Sequence, residues 1–379
     1  GMLAMAVVVG GVGTGLYFAN QNTSGKTISE KTSQKLDYIN KLIDAKFLNK
    51  VNESDLEDGI YKGLLEGLND PYSVYYTAEE YRKMMEQTSG TYSGIGALVS
   101  QNAETGIITV VKAFADAPAA KAGVKNGDII YKVKGKEVTG VDINNVVTEM
   151  KGEKGTTVDI TVYRESEKKY IDFTITRDQV NEPTVEYKML DKKKKIGYIQ
   201  ISQFEEVTYD QFTKALDDLK KQGMKAVIFD VRSNPGGLYE TVCKMLDEIL
   251  PEGNLVSTKD KYGNEEKQTS DSKCLDMPMV VLQNKDSASA SEIFAGAIQD
   301  FNAGKIVGTQ SFGKGIVQTI LPLSDGSAVK LTVQDYYTPS GKNIHGKGIT
   351  PDVEAELEEN ATSDTQLEKA KETIMELMK

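Results

Sequence analysis

The most restrictive feature of the sequence is the alternation of short apolar runs with amphipathic segments after residue 195. Runs rich in β-branched residues occur at 226–230, 279–282 and 305–307, and segments with helical spacing of apolar residues separate them. Such alternation predicts an α/β layer structure, in which helices cover the faces of a mostly parallel sheet. At 379 residues the chain is long enough for this core and for one or two further domains.

A helical region is predicted before this core, between residues 27 and 89. Leu36, Ile39, Ile43 and Phe47 recur at spacings of three and four, which places them on one face of a helix. A second helix is predicted to start near the capping-box-like pattern S-x-x-E of residues 54–57, and a third at T-x-x-E of residues 77–80. Helical hairpins of this kind commonly serve packing or oligomerisation, so a homodimer is one expected assembly.

An uncharged apolar segment occupies residues 2–18. About 17 residues is the short limit for a membrane-spanning helix and is long enough for the core of a signal peptide. Its many glycines would make it a poor helix in water. We therefore predict a signal segment or an uncleaved signal anchor over residues 1–19. Either would place the rest of the chain outside the cytoplasm, anchored to the cytoplasmic membrane, secreted or periplasmic.

Composition excludes several classes of function. The net charge of −11 argues against general nucleic-acid binding, which requires basic surface to neutralise phosphates. The single histidine, His345, lies in a glycine-flanked loop with no orienting carboxylate close in sequence. A Ser-His-Asp mechanism would depend on it, and multi-histidine metal sites are excluded. Cys243 and Cys274 have no companion at metal-ligand spacing, so two unpaired thiols are expected, with one disulfide as the alternative.

Between residues 90 and 178 the pattern changes to short strands bounded by glycine and Asn/Asp turns. This unit resembles a PDZ domain, and the matching segments are S-G-I-G-A at 93–97, A-P-A at 117–119, A-G-V at 122–124 and N-G-D-I-I at 126–130. The resemblance implies a carboxylate-binding loop made of Gly94, Ile95, Gly96 and Ala97. In such a loop, backbone N–H groups converge on the terminal carboxylate of a peptide, while an adjacent strand pairs with the peptide backbone.

Three polar segments of the α/β region carry a chemical signal. The S-A-S-A-S-E segment of residues 287–292 lies at a predicted strand-to-helix junction, where a serine can cap the helix or act as a nucleophile. Residues 308–315 nearly spell the phosphate loop G-x-x-x-x-G-K-[ST]. Gly315 stands at the hydroxyl position, however, and a strand-like run follows where a phosphate loop needs a helix. Nucleotide binding is therefore not expected. The third segment, N-P-G-G at 234–237, would be a plain turn if it stood alone.

Together these segments resemble the C-terminal processing (tail-specific) proteases, peptidase family S41. The matching patterns are S-A-S-A-S-E around Ser289, F-G-K-G around Lys314, Gln318 four residues later, D-x-R-x-N-P-G-G at 230–237 and Y-Y-T-P-S-G at 336–341. The resemblance implies a serine endopeptidase in which Ser289 is the nucleophile, Lys314 the general base and Gln318 an orienting group, with no metal or cofactor. It also implies an oxyanion hole formed by the N–H groups of Ala290 and of one of the two glycines, Gly236 or Gly237.

A lysine can act as a base only when it is neutral. Its pKa would have to fall from about 10.4 towards about 7, which burial away from carboxylates can bring about. Gln318 carries no charge, whereas a carboxylate at that position would raise the lysine pKa.

The family resemblance implies an α/β crotonase-like (ClpP/crotonase) protease core interrupted by an inserted PDZ domain, after a helical N-terminal region. The expected divisions are a signal segment at 1–19, helices at 27–89, the PDZ domain at 90–178, the protease core at 179–358 and a C-terminal helix at 359–379. Substrates would be proteins or peptides with free C-termini. The alternative function is a catalytically silent PDZ scaffold or adaptor at the membrane.

Overall fold

The structure is a computed structural model that describes residues 5–9, 29–357 and 363–379. The chain divides into two compact units. The first is built mainly of residues 82–316 and 335–379, and the second of residues 7–81 and 317–334. The second unit therefore combines the N-terminal helices with a hairpin from much later in the sequence.

The N-terminal region begins with a short strand and continues with helices. Its elements are β1 (Met5–Val9), α1 (Glu30–Lys46), α2 (Glu53–Glu66), β2 (Val74–Tyr76) and α3 (Ala78–Ser89). The helix predicted to start near Ser54 is confirmed and begins at Glu53, but its cap is Asn52 rather than Ser54, since the Asn52 side chain accepts a hydrogen bond from the Ser54 N–H. The predicted capping box of α3 is confirmed by reciprocal bonds between Thr77 and Glu80 at 2.9 and 3.2 Å.

The apolar face predicted for α1 is present but is not buried. No residue of α1 is buried, and Ile39 and Phe47 are 41% and 57% exposed. The predicted signal segment lies mostly outside the described residues, and within it Met5–Val9 forms β1. Over the residues that the structure describes, no helix has both the length and the apolar character needed to cross a membrane.

The segment after α3 folds around a separate apolar core. Its elements are β3 (Thr91–Gly94), β4 (Ala97–Gln101), β5 (Ile108–Ala113), α4 (Pro118–Ala122), β6 (Ile129–Val133), β7 (Lys136–Glu137), α5 (Ile143–Met150), β8 (Thr157–Arg164), β9 (Lys169–Thr176) and β10 (Asp178–Asn181). The main sheet has the order β4-β5-β6-β8-β9, so β4 is an edge strand, and β3 pairs with β10. Val146 and Met150 of α5 pack into the core that this sheet covers. α5 coincides with the helical spacing of apolar residues between Ile143 and Met150 in the sequence.

The chain after residue 184 contains the α/β layer structure predicted from the alternation, together with the late hairpin that belongs to the second unit. Its elements up to the last helix are β11 (Val185–Asp191), β12 (Ile196–Ile201), α6 (Thr208–Lys221), β13 (Ala226–Asp230), β14 (Gly236–Leu238), α7 (Tyr239–Asp247), β15 (Gly253–Asp260), β16 (Glu265–Ser270), β17 (Met279–Gln283), α8 (Ala290–Asp300), β18 (Gly304–Gly308), β19 (Ile316–Pro322), β20 (Ala328–Tyr337), β21 (Val353–Glu354) and α9 (Thr365–Leu377). Strands β12, β13, β17, β18 and β21 are neighbours in parallel, with β11 antiparallel at one edge. The carboxyl ends of β13 and β17 therefore lie side by side, which brings the loops that follow them together.

In the second unit, β2 pairs antiparallel with β20, with Tyr75 opposite Val329. β1 pairs parallel with β19, with Val7 opposite Gln318. Helix α2 contacts the same unit through a hydrogen bond from the Tyr75 hydroxyl to Asp58. This association of distant segments could not be read from hydrophobic periodicity, which reports only local structure.

Candidate active site

Ser289 lies at the sharp turn between β17 and α8. It is the N-cap residue of α8, with φ 59° and ψ −113°, and its side chain is fully buried. A non-glycine residue rarely adopts a positive φ, and such strain is typical of nucleophiles held on a strand-to-helix turn. Among the described residues, no group forms a hydrogen bond with its Oγ. A buried hydroxyl without a partner costs free energy and is uncommon in folded proteins.

The two flanking serines have different surroundings. The Ser287 hydroxyl donates to the carbonyl of Val231 at 2.8 Å, and the Ser291 hydroxyl donates to the carbonyl of Asn234 at 2.9 Å. Both bonds tie the start of α8 to the loop after β13. Ser289 is therefore the serine of this trio whose hydroxyl is available for chemistry.

One buried carboxylate, that of Glu292, connects the Ser289 turn to the loop containing Lys314. Its Oε2 accepts hydrogen bonds from the backbone N–H groups of Ser289 and Lys314, each at 2.8 Å. Its Oε1 accepts bonds from the Ser311 hydroxyl at 2.6 Å and from the Gly313 N–H at 2.7 Å. The backbone positions of the predicted nucleophile and the predicted base are thus fixed by the same group.

The ionisation of Glu292 reflects two opposed effects. Burial raises its pKa, while the hydrogen bonds from the Ser311 hydroxyl and from the three backbone N–H groups act to lower it. The net pKa is above the ordinary value. Sequence reasoning missed this residue as a site group, although the spacing S-x-x-E from Ser289 to Glu292 is a capping-box signal.

Lys314 is 1% exposed and lies in a loop that packs closely against residues 345–348. The flanking glycines permit this contact. A Cβ on Gly313, which has φ 90°, would lie 2.9 Å from the Lys347 nitrogen, and one on Gly315 would lie 2.6 Å from the His345 nitrogen. β19 follows directly, as predicted, so the loop is not a phosphate loop. The His345 side chain is exposed.

Tyr336 contacts both sides of the site, and sequence reasoning did not assign it a role. Its hydroxyl donates to the Ser289 carbonyl at 3.2 Å, and its N–H donates to the Gly315 carbonyl at 3.0 Å. The side chain is fully buried, and burial raises the pKa of the phenol well above its ordinary value. The hydroxyl therefore remains a donor at any working pH.

The loop after β13 lies against the Ser289 turn. The Ala288 N–H donates to the Asn234 carbonyl at 3.0 Å, and the Asn234 side chain donates to the Ile201 carbonyl at 2.9 Å. The Asn234 Oδ1 accepts a bond from the Gly236 N–H at 2.8 Å. Of the two glycines predicted for an oxyanion hole, Gly236 therefore already has its N–H engaged within the loop.

Gln318 belongs to the second unit, where it is buried and donates from its side-chain amide to the Thr332 hydroxyl at 3.2 Å. The predicted carboxylate-binding loop joins β3 to β4. Its backbone is held from one side, since the carbonyls of Ile95 and Gly96 accept bonds from the N–H groups of Ala119 and Phe114 at 2.7 and 3.0 Å. Gly96 has φ 75°, and a Cβ there would lie 2.3 Å from the Cβ of Ala117.

The prediction of unpaired thiols is confirmed, since Cys243 is buried and free and Cys274 is exposed and free. Within the described residues, no cluster of histidine, cysteine, aspartate and glutamate side chains has the composition of a metal site.

Comparison with known proteins identifies three regions. Residues 195–355 match the model of peptidase family S41, residues 93–175 match a PDZ domain, and residues 15–80 match the activating protease CtpB N-terminal domain. A protein of Staphylococcus epidermidis named "Probable CtpA-like serine protease" is 36% identical over 357 residues, which cover 93% of this chain and 71% of the relative. A Staphylococcus aureus protein of the same name is 37% identical over 341 residues, which cover 89% of this chain and 67% of that relative.

Among solved structures, the photosystem II D1 C-terminal processing protease is 28% identical to this chain. The match has a TM-score of 0.51 and covers 90% of this chain and 91% of that structure. The fold is thus an S41 protease fold with a PDZ domain and a helical N-terminal region. On these similarities the chain is a serine-type peptidase that belongs to peptidase family S41, the C-terminal processing proteases.

Proposed function

We propose that the chain is an endopeptidase of the C-terminal processing type that cleaves protein substrates through a Ser289–Lys314 dyad. The observation that carries the proposal is the shared carboxylate of Glu292, which receives the backbone N–H groups of Ser289 and Lys314 at 2.8 Å each. The unpartnered hydroxyl of Ser289 on a strained turn supports its assignment as the nucleophile.

In the proposed reaction, Ser289 Oγ attacks the carbonyl carbon of the scissile peptide bond while the neutral Lys314 Nζ takes its proton. The C–N bond of the tetrahedral intermediate then breaks, and Lys314 returns the proton to the leaving amine. A water molecule, deprotonated by the Lys314 amine, then attacks the acyl-enzyme ester. The ester C–O bond breaks, and Lys314 returns the proton to the Ser289 oxygen, which regenerates the hydroxyl. Gln318 is assigned the role of orienting the lysine amine with a neutral amide.

The negative oxygen of the intermediate requires preorganised donors. Ala290 is the first residue of α8, where a backbone N–H has no partner within the helix. We assign the second donor to Gly237, because the N–H of Gly236 is already bonded to Asn234 at 2.8 Å. Gly237 has φ 146°, and a Cβ there would lie 2.1 Å from the Phe204 carbonyl oxygen, so only glycine fits this position.

The PDZ domain is proposed to capture substrate C-termini at Gly94, Ile95, Gly96 and Ala97. The edge position of β4 supports this, because an extended peptide can add to an unpaired edge as a further strand. Proteins with free C-termini would then be the preferred substrates.

We also propose that the core is crotonase-like and that the domains divide as the sequence predicts. The enzyme would act outside the cytoplasm, either anchored by its N-terminal segment or released. A homodimer through the helical region is supported by the uncovered apolar side chains of Ile39 in α1 and of Phe47, the C-cap of α1, which are 41% and 57% exposed.

The dyad is tested by incubating an unfolded protein with the wild type and with Ser289→Ala and Lys314→Ala, followed by mass spectrometry of the products. Each variant is expected to lose cleavage while keeping the wild-type circular dichroism spectrum. Ser272→Ala and Lys285→Ala alter exposed residues of the same types and should cleave normally. Activity within about tenfold of wild type in either dyad variant would refute the assignment.

PDZ capture is tested with peptide pairs that differ only in a free or amidated C-terminus. The free acid is expected to have the lower KM, since an amide removes the charge that the loop would bind. Equal cleavage of both forms would refute capture but would leave the dyad untouched.

A further inference from the structure

The buried carboxyl group of Glu205 lies where the PDZ domain joins the core, and the proposed mechanism does not use it. Glu205 is 6% exposed, and its Oε2 has no hydrogen-bond partner among the residues that the structure describes. Burying such a group without a partner costs about 1–3 kcal/mol even for a neutral polar atom, and more for a charge. The buried carboxyl group of Glu205 therefore lowers the local stability of the fold at this position.

The carboxyl group packs directly on the first of the two connections to the PDZ domain. We call residues 88–91 and 181–184 the neck, because the chain enters and leaves the PDZ domain through them. A Cβ on Gly90 would lie 2.3 Å from Glu205 Oε2, so only glycine allows this contact. The two halves of the neck are joined by a hydrogen bond from the Glu182 N–H to the Gly90 carbonyl at 2.7 Å.

The backbone around Glu205 also links the neck to β14, the strand that contains the proposed oxyanion-hole donor Gly237. On one side, the Glu206 N–H donates to the Thr88 carbonyl at 3.2 Å. On the other side, the Phe204 N–H donates to the Gly236 carbonyl at 2.9 Å, and the Phe204 carbonyl accepts from the Leu238 N–H at 2.6 Å. Residues 204–206 are thus a short strap between the PDZ attachment and β14.

We propose that Glu205 is a proton-dependent latch, which holds the neck against the strap when its carboxyl group is protonated and favours local opening of the neck when it ionises. The latch itself follows from these contacts. Its regulatory meaning rests on the proposed function, in which the PDZ domain captures substrates and β14 contributes to the oxyanion hole.

The charges around Glu205 indicate that ionisation, rather than protonation, favours opening of the neck. Burial, followed by the nearby charge of Glu182 on the neck, raises its pKa to about 8. The other contacts carry no charge: Thr208 of α6 accepts from the Glu205 N–H, Thr88 at the end of α3 offers a carbonyl, and Gly90 and Val207 contribute carbon atoms. No basic side chain among the described residues forms an ion pair with Glu205, so nothing compensates its negative charge when it ionises.

Linkage gives the pH range. In an opened neck, the solvated carboxyl group would have its ordinary pKa of 4.5, against about 8 in the closed form. Opening therefore releases a proton, and it becomes easier by about tenfold per pH unit between roughly pH 5 and 8, with no further change above that range. Below this window both forms hold the proton and the closed form is fully favoured; within the window only the closed form retains the proton, so its advantage falls as the pH rises.

Hydrogen exchange of the neck amides tests the latch. Exchange would be followed by mass spectrometry of peptides covering residues 88–91 and 181–184, with rates corrected for the intrinsic pH dependence of exchange. The full chain with Ser289→Ala would be used, so that the readout is independent of peptide cleavage. Neck protection is expected to fall about tenfold per pH unit between pH 5.5 and 7.5, while a peptide from β8 stays constant.

Two variants separate the latch from general effects of charge. Glu205→Gln keeps the side-chain size without the titration and should give pH-independent neck protection, whereas Glu206→Gln, at the exposed neighbouring position, should keep the wild-type slope. A flat wild-type profile, or an unchanged slope in Glu205→Gln, would overturn the latch. Since the wild-type slope is itself a test, the result does not depend on the variant folding well.

Discussion

Ser289 and Lys314 donate their backbone N–H groups to the same carboxylate oxygen, Oε2 of Glu292, at equal distances of 2.8 Å. The two residues are distant in sequence, but this shared acceptor holds their backbones at a fixed distance from each other. Precise placement of a nucleophile and its base accounts for much of the rate enhancement in acyl transfer, and an error of about 1 Å can cost about 100-fold. In the proposed mechanism, Glu292 is thus a positioning residue for both.

Glu292→Gln is expected to lower kcat by about 100-fold or more. The new amide group would direct its own N–H groups at backbone N–H donors, so at least one pair of donors must separate. Steady-state kinetics with a peptide substrate measure the effect, and thermal unfolding checks the fold. Asp286→Asn makes the same chemical change at an exposed position nearby and should be neutral. If Glu292→Gln kept wild-type kcat, positioning by the carboxylate would be excluded.

Tyr336→Phe is expected to lower kcat by about fivefold and leave KM unchanged. The lost bond, from the hydroxyl to the Ser289 carbonyl at 3.2 Å, is worth about 1 kcal/mol and acts on the nucleophile rather than on the substrate. Tyr337→Phe serves as the control, because Tyr337 is only partly buried and its ring lies near Lys259 instead. A change in KM alone would assign Tyr336 to substrate binding.

Gly96→Ala is expected to raise KM for free-acid peptides without lowering kcat at saturation. Its Cβ would lie 2.3 Å from that of Ala117, so the carboxylate-binding loop must shift. Gly127→Ala has a comparable backbone strain, with φ 87° against 75°, but has open space around the new Cβ. If both variants raised KM equally, backbone strain in the PDZ domain rather than the loop position would be the cause.

Arg232→Met is expected to lower the free energy of unfolding by about 3–5 kcal/mol, because it leaves the buried Asp230 uncompensated. Arg232 bonds to Asp230 at 2.6 Å and to Asp364 at 2.8 Å, and so ties the loop after β13 to the start of α9. Arg82→Met removes an exposed pair with Glu86 and should cost about 0.5 kcal/mol or less. Urea unfolding compares the two, and equal losses would contradict a structural role for the buried cluster.

Local sequence patterns predicted the elements that carry the site. The strand-to-helix turn at Ser289 and the strand after Lys314 follow from small residues and from β-branched runs, and both are present. These local patterns predict individual helices and strands, but they do not predict which strands pair with each other. The pairing of β2 with β20 depends on contacts between residues more than 250 positions apart, such as Tyr75 and Val329.

Two details that sequence reasoning did not give have physical causes. The helix predicted near Ser54 is capped by Asn52, an equally good cap, and so begins at Glu53. Glu292 also fits a capping box, and that reading conceals its second role, since only the folded loop brings Ser311, Gly313 and Lys314 to its carboxylate. Periodicity likewise predicts an apolar face on α1 without telling whether anything covers it.

The positive φ of Ser289, 59°, means that this position suits glycine better than any residue with a side chain. Holding a serine there costs about 1–3 kcal/mol of conformational strain. Replacing it with glycine would relieve the backbone strain and remove the proposed nucleophile in one step, which is expected to give a more stable but inactive protein. Activity and stability make opposite demands on this single residue, so screens for heat-resistant forms of the enzyme would favour loss of its chemistry here.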